Sequence, residues 1–262
     1  MKKILTLACI CFIAKNAIAQ RDTSFNVQQG IDCFEQADYS CAYSIFLHAA
    51  NNKNTYAQCL VGYLYEIGEG VEKSDAMAVK WYQKSAEQGN WYGQYYLGTM
   101  YENGLGVKQD HKHAVELYKK AAEQGYSEAQ LALGRCYSNG IGVGENPEQA
   151  FYWYIKAAEQ GNADAQNNIG VMYKNGQYVE QNDKKAVEWY RKAAEQGNMY
   201  AQSNLGWAYL YGEGVGKDYT QAIDWYNKAA KQENEVAQYY LGAMYDEGLG
   251  VPQNKKRHLN CI

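Results

Sequence analysis

The sequence predicts an all-α solenoid built from about six helix-turn-helix repeats of 36 residues, and three sets of residues carry that expectation. A small-residue motif recurs in strict register: Val61-Gly62 with Tyr65, Leu97-Gly98 with Tyr101, Leu133-Gly134 with Tyr137, Ile169-Gly170 with Tyr173, Leu205-Gly206 with Tyr209, Leu241-Gly242 with Tyr245. An aromatic motif shares the period: Trp81-Tyr82, Leu117-Tyr118, Trp153-Tyr154, Trp189-Tyr190, Trp225-Tyr226. Asp38, Ser74, Asp110, Asn146, Asn182, Asp218 and Asn254 form a third column, and each is a good helix N-cap. Self-similarity at a period between about 20 and 50 residues marks a fold whose units bury their apolar faces against neighbours. Such folds present binding surface rather than a catalytic cleft.

The first residues stand apart from the repeats. Lys2-Lys3 make a basic start, Ile4 to Ala14 an apolar run, and Ala17-Ile18-Ala19 a small-residue cleavage site. Residues 1–19 therefore read as a secretory signal peptide, and the expected location is the periplasm or the exterior. The apolar run is too short to span a membrane, and nothing downstream approaches the roughly 20 apolar residues a span needs. Removing Lys2, Lys3 and Lys15 takes the formal charge from −4 to −7. An acidic chain without a basic stripe argues against nucleic acid as a partner. Lys255-Lys256-Arg257 is the one basic run, and it reads as a solvated tail.

One unit shows how each repeat is built. Gln94, Leu97, Gly98 and Tyr101 fall at helical spacing on one face. Gly104 and Gly106 end that helix and turn the chain, because glycine accepts positive φ without penalty. Asp110 opens a second helix with the stripe Ala114, Leu117, Tyr118, Ala121, Ala122, and Gly125 closes it. The glycine inside every first helix costs roughly 0.5–1 kcal/mol against alanine. Its recurrence implies a close approach that a Cβ would block. Abundant tyrosine (26 residues) beside only two prolines suits short helices carrying large half-buried rings.

The third unit gives the pattern most fully: Ala129-Gln130, Leu133-Gly134, Tyr137, Gly140-Ile141-Gly142-Val143, Ala150, Trp153-Tyr154, then Lys156-Ala157-Ala158-Glu159-Gln160-Gly161. It resembles the Sel-1-like repeat, a relative of the tetratricopeptide repeat, and the resemblance covers residues 57–251. It implies a right-handed α/α superhelical solenoid whose first helices line a concave face. The expected organisation is a degenerate capping hairpin over 20–56, five full repeats over 57–236, and a partial repeat with a tail over 237–262. The last unit departs from the motif at Lys256 to Ile262. Either the chain is truncated there or a partner covers the exposed end. Gly93 replaces the usual alanine, Leu117 the usual tryptophan, and the turn Gly176-Gln177-Tyr178-Val179 lacks its second glycine.

By analogy with tetratricopeptide repeats, the groove-facing positions include Tyr63, Tyr92, Tyr95, Arg135, Lys174, Tyr200, Trp207, Tyr211 and Tyr239. Aromatic ends flank a polar middle, which suits a protein or peptide ligand with a carboxylate near Arg135 and Lys174. The competing reading is that these rings only fill space between helices. No cofactor or metal is expected: His111 and His113 lie two apart and face different ways. Secreted cysteine-rich members of the family are described as penicillin-binding proteins or weak β-lactamases, which makes hydrolysis the alternative function. That subgroup ties adjacent helices with cysteines eight apart at the unit boundaries, and Ala86/Gln94, Ala122/Gln130 and their counterparts carry none. No Ser-x-x-Lys or Lys-Thr-Gly supplies an activated serine either. Cys33 and Cys41 are placed to bridge the capping hairpin in an oxidising compartment. Cys59 and Cys136 read as packed thiols.

Overall fold

The computed structural model describes residues 25–250. The leader over 1–19, Asn254, the run Lys255-Lys256-Arg257 and Cys261 lie outside them. Among the described residues every regular element is an α-helix. The first six are α1 Phe25–Glu35, α2 Tyr39–Asn51, α3 Thr55–Ile67, α4 Asp75–Glu87, α5 Trp91–Asn103 and α6 His111–Glu123. Then follow α7 Ser127–Asn139, α8 Pro147–Glu159, α9 Ala163–Asn175, α10 Asp183–Glu195, α11 Met199–Tyr211, α12 Tyr219–Ala230 and α13 Glu235–Glu247.

Capping side chains set these boundaries. Asp38, Ser74, Asp110, Asn146, Asn182 and Asp218 each accept a hydrogen bond from a backbone N–H in the first turn of a second helix. The structure adds a column that the sequence reading overlooked: Asn54, Asn90, Asn162, Asn198 and Asn234 cap first helices in the same way. Each such side chain answers donors that the helix cannot satisfy internally. At the other end, Gly68, Gly104, Gly176, Gly212 and Gly248 close first helices in the left-handed conformation. The second turn glycine has a steric duty as well. A Cβ on Gly106 would lie 2.3 Å from the carbonyl carbon of Asp75, so the turn rests directly on the preceding hairpin. In the fourth turn Tyr178 takes this role with φ 63°, a strained value for a side chain of its size.

The chain divides into two compact units, and the division passes through α7. The first holds residues up to Ala129 together with Ile141–Val143; the second holds Gln130–Gly140 and the chain from Gly144 onward. In the first unit, the hairpins α1/α2, α3/α4 and α5/α6 stack on a core that includes Phe46, Leu60, Leu64, Tyr82, Leu97 and Met100. Cys33 and Cys41 are joined by a disulfide across the α1/α2 hairpin, with Cα atoms 5.9 Å apart. Cys59 is buried, which pushes its thiol pKa up. In the second unit, α9/α10, α11/α12 and α13 pack through Ile169, Met172, Leu205, Leu241 and Met244.

Both units explain the helix-interior glycine. A Cβ on Gly62 or Gly98 would sit 2.8 or 2.7 Å from the ring of Tyr82 or Tyr118; on Gly170 or Gly206 it would meet Tyr190 at 2.5 Å or Tyr226 at 2.8 Å. The tyrosine of each of these second helices thus packs into a notch in its own first helix. Gly93 answers a different need: Ser85 stands where later units carry alanine, and a Cβ at 93 would lie 2.6 Å from its Oγ as well as from its Cβ. Ser85 Oγ donates to the Thr55 carbonyl at 2.7 Å, so the larger side chain has a partner of its own.

A glutamine ladder completes each hairpin. In the first unit Gln88 and Gln124 donate to the Oε1 atoms of Gln58 and Gln94 at 2.7 and 2.8 Å. In the second, Gln160, Gln196 and Gln232 donate to Gln130, Gln166 and Gln202 at 2.8 to 2.9 Å. The receiving glutamines are buried polar groups, and such groups need partners.

Candidate functional site

In the first unit, the expected groove residues divide by burial. Tyr63 on α3 is 5% exposed and Tyr92 on α5 is 1% exposed. The groove-facing assignment fails for these two, because rings withdrawn from solvent cannot meet a partner; they fill space between helices. Tyr92 stacks on Trp91 with centroids 3.6 Å apart and lies 5.3 Å from Tyr126. Tyr95 is half-buried beside them, 5.1 Å from Tyr126 and 5.7 Å from Tyr118. Burial pushes the phenol pKa values of Tyr96 and Tyr126 up, so this cluster stays neutral. Tyr82 and Tyr118 donate their hydroxyls to Glu66 and Glu102 respectively.

The second unit holds a more open arrangement. Arg135 on α7 is exposed. Lys174 lies in the last turn of α9, where a cation is favoured by the helix dipole. Its ammonium bridges Asp183, the first residue of α10, at 3.2 Å, and Glu213 in the turn after α11. Burial works against its charge, but hydrogen bonds and charge from Glu213 and Asp183 outweigh that and raise its pKa. Trp207 on α11 donates its indole N–H to the same Glu213 Oε2 at 2.9 Å. The lysine therefore meets two carboxylates before any ligand arrives.

Those groups line a cavity of about 180 Å³, together with Tyr190 and Asn204. Asn204 also borders an open depression of about 630 Å³, lined by Asn167, Asn168, Ser203, Tyr200 and Val236 among others. Asn204 donates to Asn167 Oδ1 at 3.0 Å. The two hollows share Asn204 on α11; the first is lined by charge and the second by amides. Tyr200 lines the second hollow, and Tyr200, Tyr211 and Tyr239 are 55%, 48% and 69% exposed. Trp207 packs 4.3 Å from Tyr211 and 5.1 Å from Tyr240, which holds the indole in place. Among the described residues, no three or more His, Cys, Asp or Glu are grouped so as to hold a metal ion. No helix there is long and apolar enough to cross a membrane.

Asp183, Tyr190, Asn204 and Glu213 belong to this site, and the sequence reading missed all four. One signal was available. The position sixteen residues before each second-helix tyrosine reads Glu66, Glu102, Ser138, Lys174 and Leu210. The acceptor that serves Tyr82 and Tyr118 is replaced before Tyr190 and Tyr226.

The Sel1 repeat matches residues 55–90, 91–126, 127–162, 163–198, 200–234 and 236–257. The chain belongs to the Sel1 repeat family. A Sel1 repeat protein from Oxalobacter formigenes is 35% identical over 91% of this chain and 96% of its own, with a TM-score of 0.85. The uropathogenic Escherichia coli protein c5321, described as a protective antigen displaying an SLR fold, is 36% identical over 96% of this chain, with a TM-score of 0.81. This chain spans 55% of that protein's length. No curated protein matches. The fold is thus the helical solenoid of Sel1 repeats, and Sel1 repeats mediate protein–protein interaction, typically as scaffolds without catalysis.

Proposed function

We propose that this Sel1 repeat protein is an exported interaction scaffold that holds a peptide segment of a partner protein in the two hollows along α11. The observation that carries the reading is the pair of hollows that share Asn204, lined with charge and amides, with exposed Tyr200 in the wall of one and exposed Tyr211 packed on Trp207 of the other. Tyrosine and tryptophan supply large contact area at low entropic cost, and they dominate binding hot spots. Export is supported by the leader-like residues 1–19 and by the Cys33–Cys41 disulfide, which persists in oxidising compartments.

Site-specific photo-crosslinking in cells tests the binding surface. A benzophenone amino acid at Tyr211 should capture a discrete partner, whereas the same probe at Lys184, on the second-helix side, should not. Equal capture from both positions would rule out the hollows. Mass spectrometry of the mature N-terminus tests export: the expected first residue is Gln20, and an intact Met1 in the cytosolic fraction would contradict it.

A further inference from the structure

The charged hollow is unbalanced. Lys174 brings one cation to two carboxylates, Asp183 and Glu213. Glu213 uses Oε2 for both Lys174 and Trp207, and Asp183 uses Oδ1 for Lys174. Among the described residues, Glu213 Oε1 and Asp183 Oδ2 accept no hydrogen bond. A second observation, independent of the carboxylates, concerns Tyr190. It is 5% exposed and lines the same cavity, and its hydroxyl, which is not among the buried orphan atoms, makes no hydrogen bond with the described residues. In the first unit that column is satisfied, Tyr82 by Glu66 and Tyr118 by Glu102. The Tyr190 hydroxyl keeps contact with solvent through the cavity, so it costs the fold little and is available to a group that enters there.

The carboxylate oxygens left over by Lys174 favour a donor that carries positive charge, the Tyr190 hydroxyl can accept from it, and the wall it would meet is the indole of Trp207. This chain already pairs ammonium groups with indoles: Lys84, Lys192 and Lys228 sit 4.0, 4.1 and 3.8 Å from the ring centroids of Trp81, Trp189 and Trp225. Cations are attracted to the face of such rings. A free cation would use only the charged hollow, whereas a side chain carried on a peptide also lays its backbone along Asn204, Asn167 and Ser203.

We propose that the cavity of Asp183, Tyr190, Trp207 and Glu213 is a recognition subsite for a lysine or arginine side chain of the bound peptide, with Lys174 holding the carboxylates together until that side chain arrives. This inference rests on the scaffold reading and names the chemistry of its occupant. Charge complementarity of this kind governs register and on-rate, and it weakens as salt rises.

The test uses the mature protein and hexapeptide pools, each fixed at one position and random elsewhere, with binding read by fluorescence anisotropy. Pools fixed as lysine or arginine should bind about tenfold better than pools fixed as aspartate, glutamate or acetyl-lysine. Glu213→Gln should abolish that preference, and Lys174→Met should preserve or strengthen it. If Glu213→Gln does not fold by circular dichroism, Tyr190→Phe, which removes a single oxygen, should still weaken the lysine and arginine pools several-fold. Equal binding of neutral or acidic pools would overturn the subsite while leaving the scaffold reading intact. Binding of no pool would overturn both.

Discussion

In the first unit the hydroxyls of Tyr82 and Tyr118 are answered by Glu66 and Glu102. In the second unit Tyr190 and Tyr226 occupy the same column, with Lys174 and Leu210 where the glutamates stood; the Tyr226 hydroxyl is buried without a partner, and the Tyr190 hydroxyl makes no hydrogen bond with the described residues and lies at the cavity. The first-helix rings follow the same division. Tyr92 is sealed in the core of its unit, whereas Tyr200, three repeats later in its column, is half in solvent. Both units share one backbone repeat, one glutamine ladder and one glycine notch. What distinguishes the two units is a handful of column substitutions.

The largest expected effect checks that the shared framework is common to both units. Leu97→Ala and Leu205→Ala, at equivalent buried positions, should each cost about 2–5 kcal/mol in urea unfolding by opening a cavity. A loss below about 1 kcal/mol at either position would mean that its unit does not rest on this core. The glycine notch comes next. Gly98→Ala and Gly206→Ala force a methyl into the rings of Tyr118 and Tyr226, and each should cost about 1–3 kcal/mol. Unequal losses would show that one notch is looser than its geometry indicates. Removing one rung of the ladder with Gln88→Ala or Gln196→Ala should cost about 1–3 kcal/mol in either unit, since a buried glutamine then loses its donor. The smallest effect belongs to the second unit alone. Tyr178→Gly relieves a left-handed tyrosine, but it also removes ring contact with Phe151 and a hydrogen bond to Glu148. The net change in melting temperature should correspond to less than about 1 kcal/mol; a larger loss would make those side-chain contacts the reason tyrosine is there.

The framework was legible because periodicity repeats each structural demand. Asp110, Asn146 and their column announce helix starts, and Gly104 with Gly106 announces a turn that rests on backbone. The Asn54 and Asn90 caps were readable in the same way and were overlooked. The site was harder to read for a physical reason. Lys174 looked like a free cation for a carboxylate, because a sequence shows neither Asp183 nine residues ahead nor Glu213 in the following turn converging on it. Tyr63 and Tyr200 look alike as letters, and only packing against neighbouring helices separates the buried ring from the exposed one. A repeat reports what its units have in common, whereas binding depends on where they differ.

The most direct measurement of that difference removes one oxygen from the same column in each unit. Tyr82→Phe deletes a hydrogen bond to a carboxylate, so the unfolding free energy should fall by about 1.5–3 kcal/mol. Tyr190→Phe deletes a hydroxyl with no protein partner and should leave stability within about 0.5 kcal/mol of the parent. Matching losses for the two variants would contradict the account, because the second-unit hydroxyl would then be serving the fold rather than waiting for a ligand.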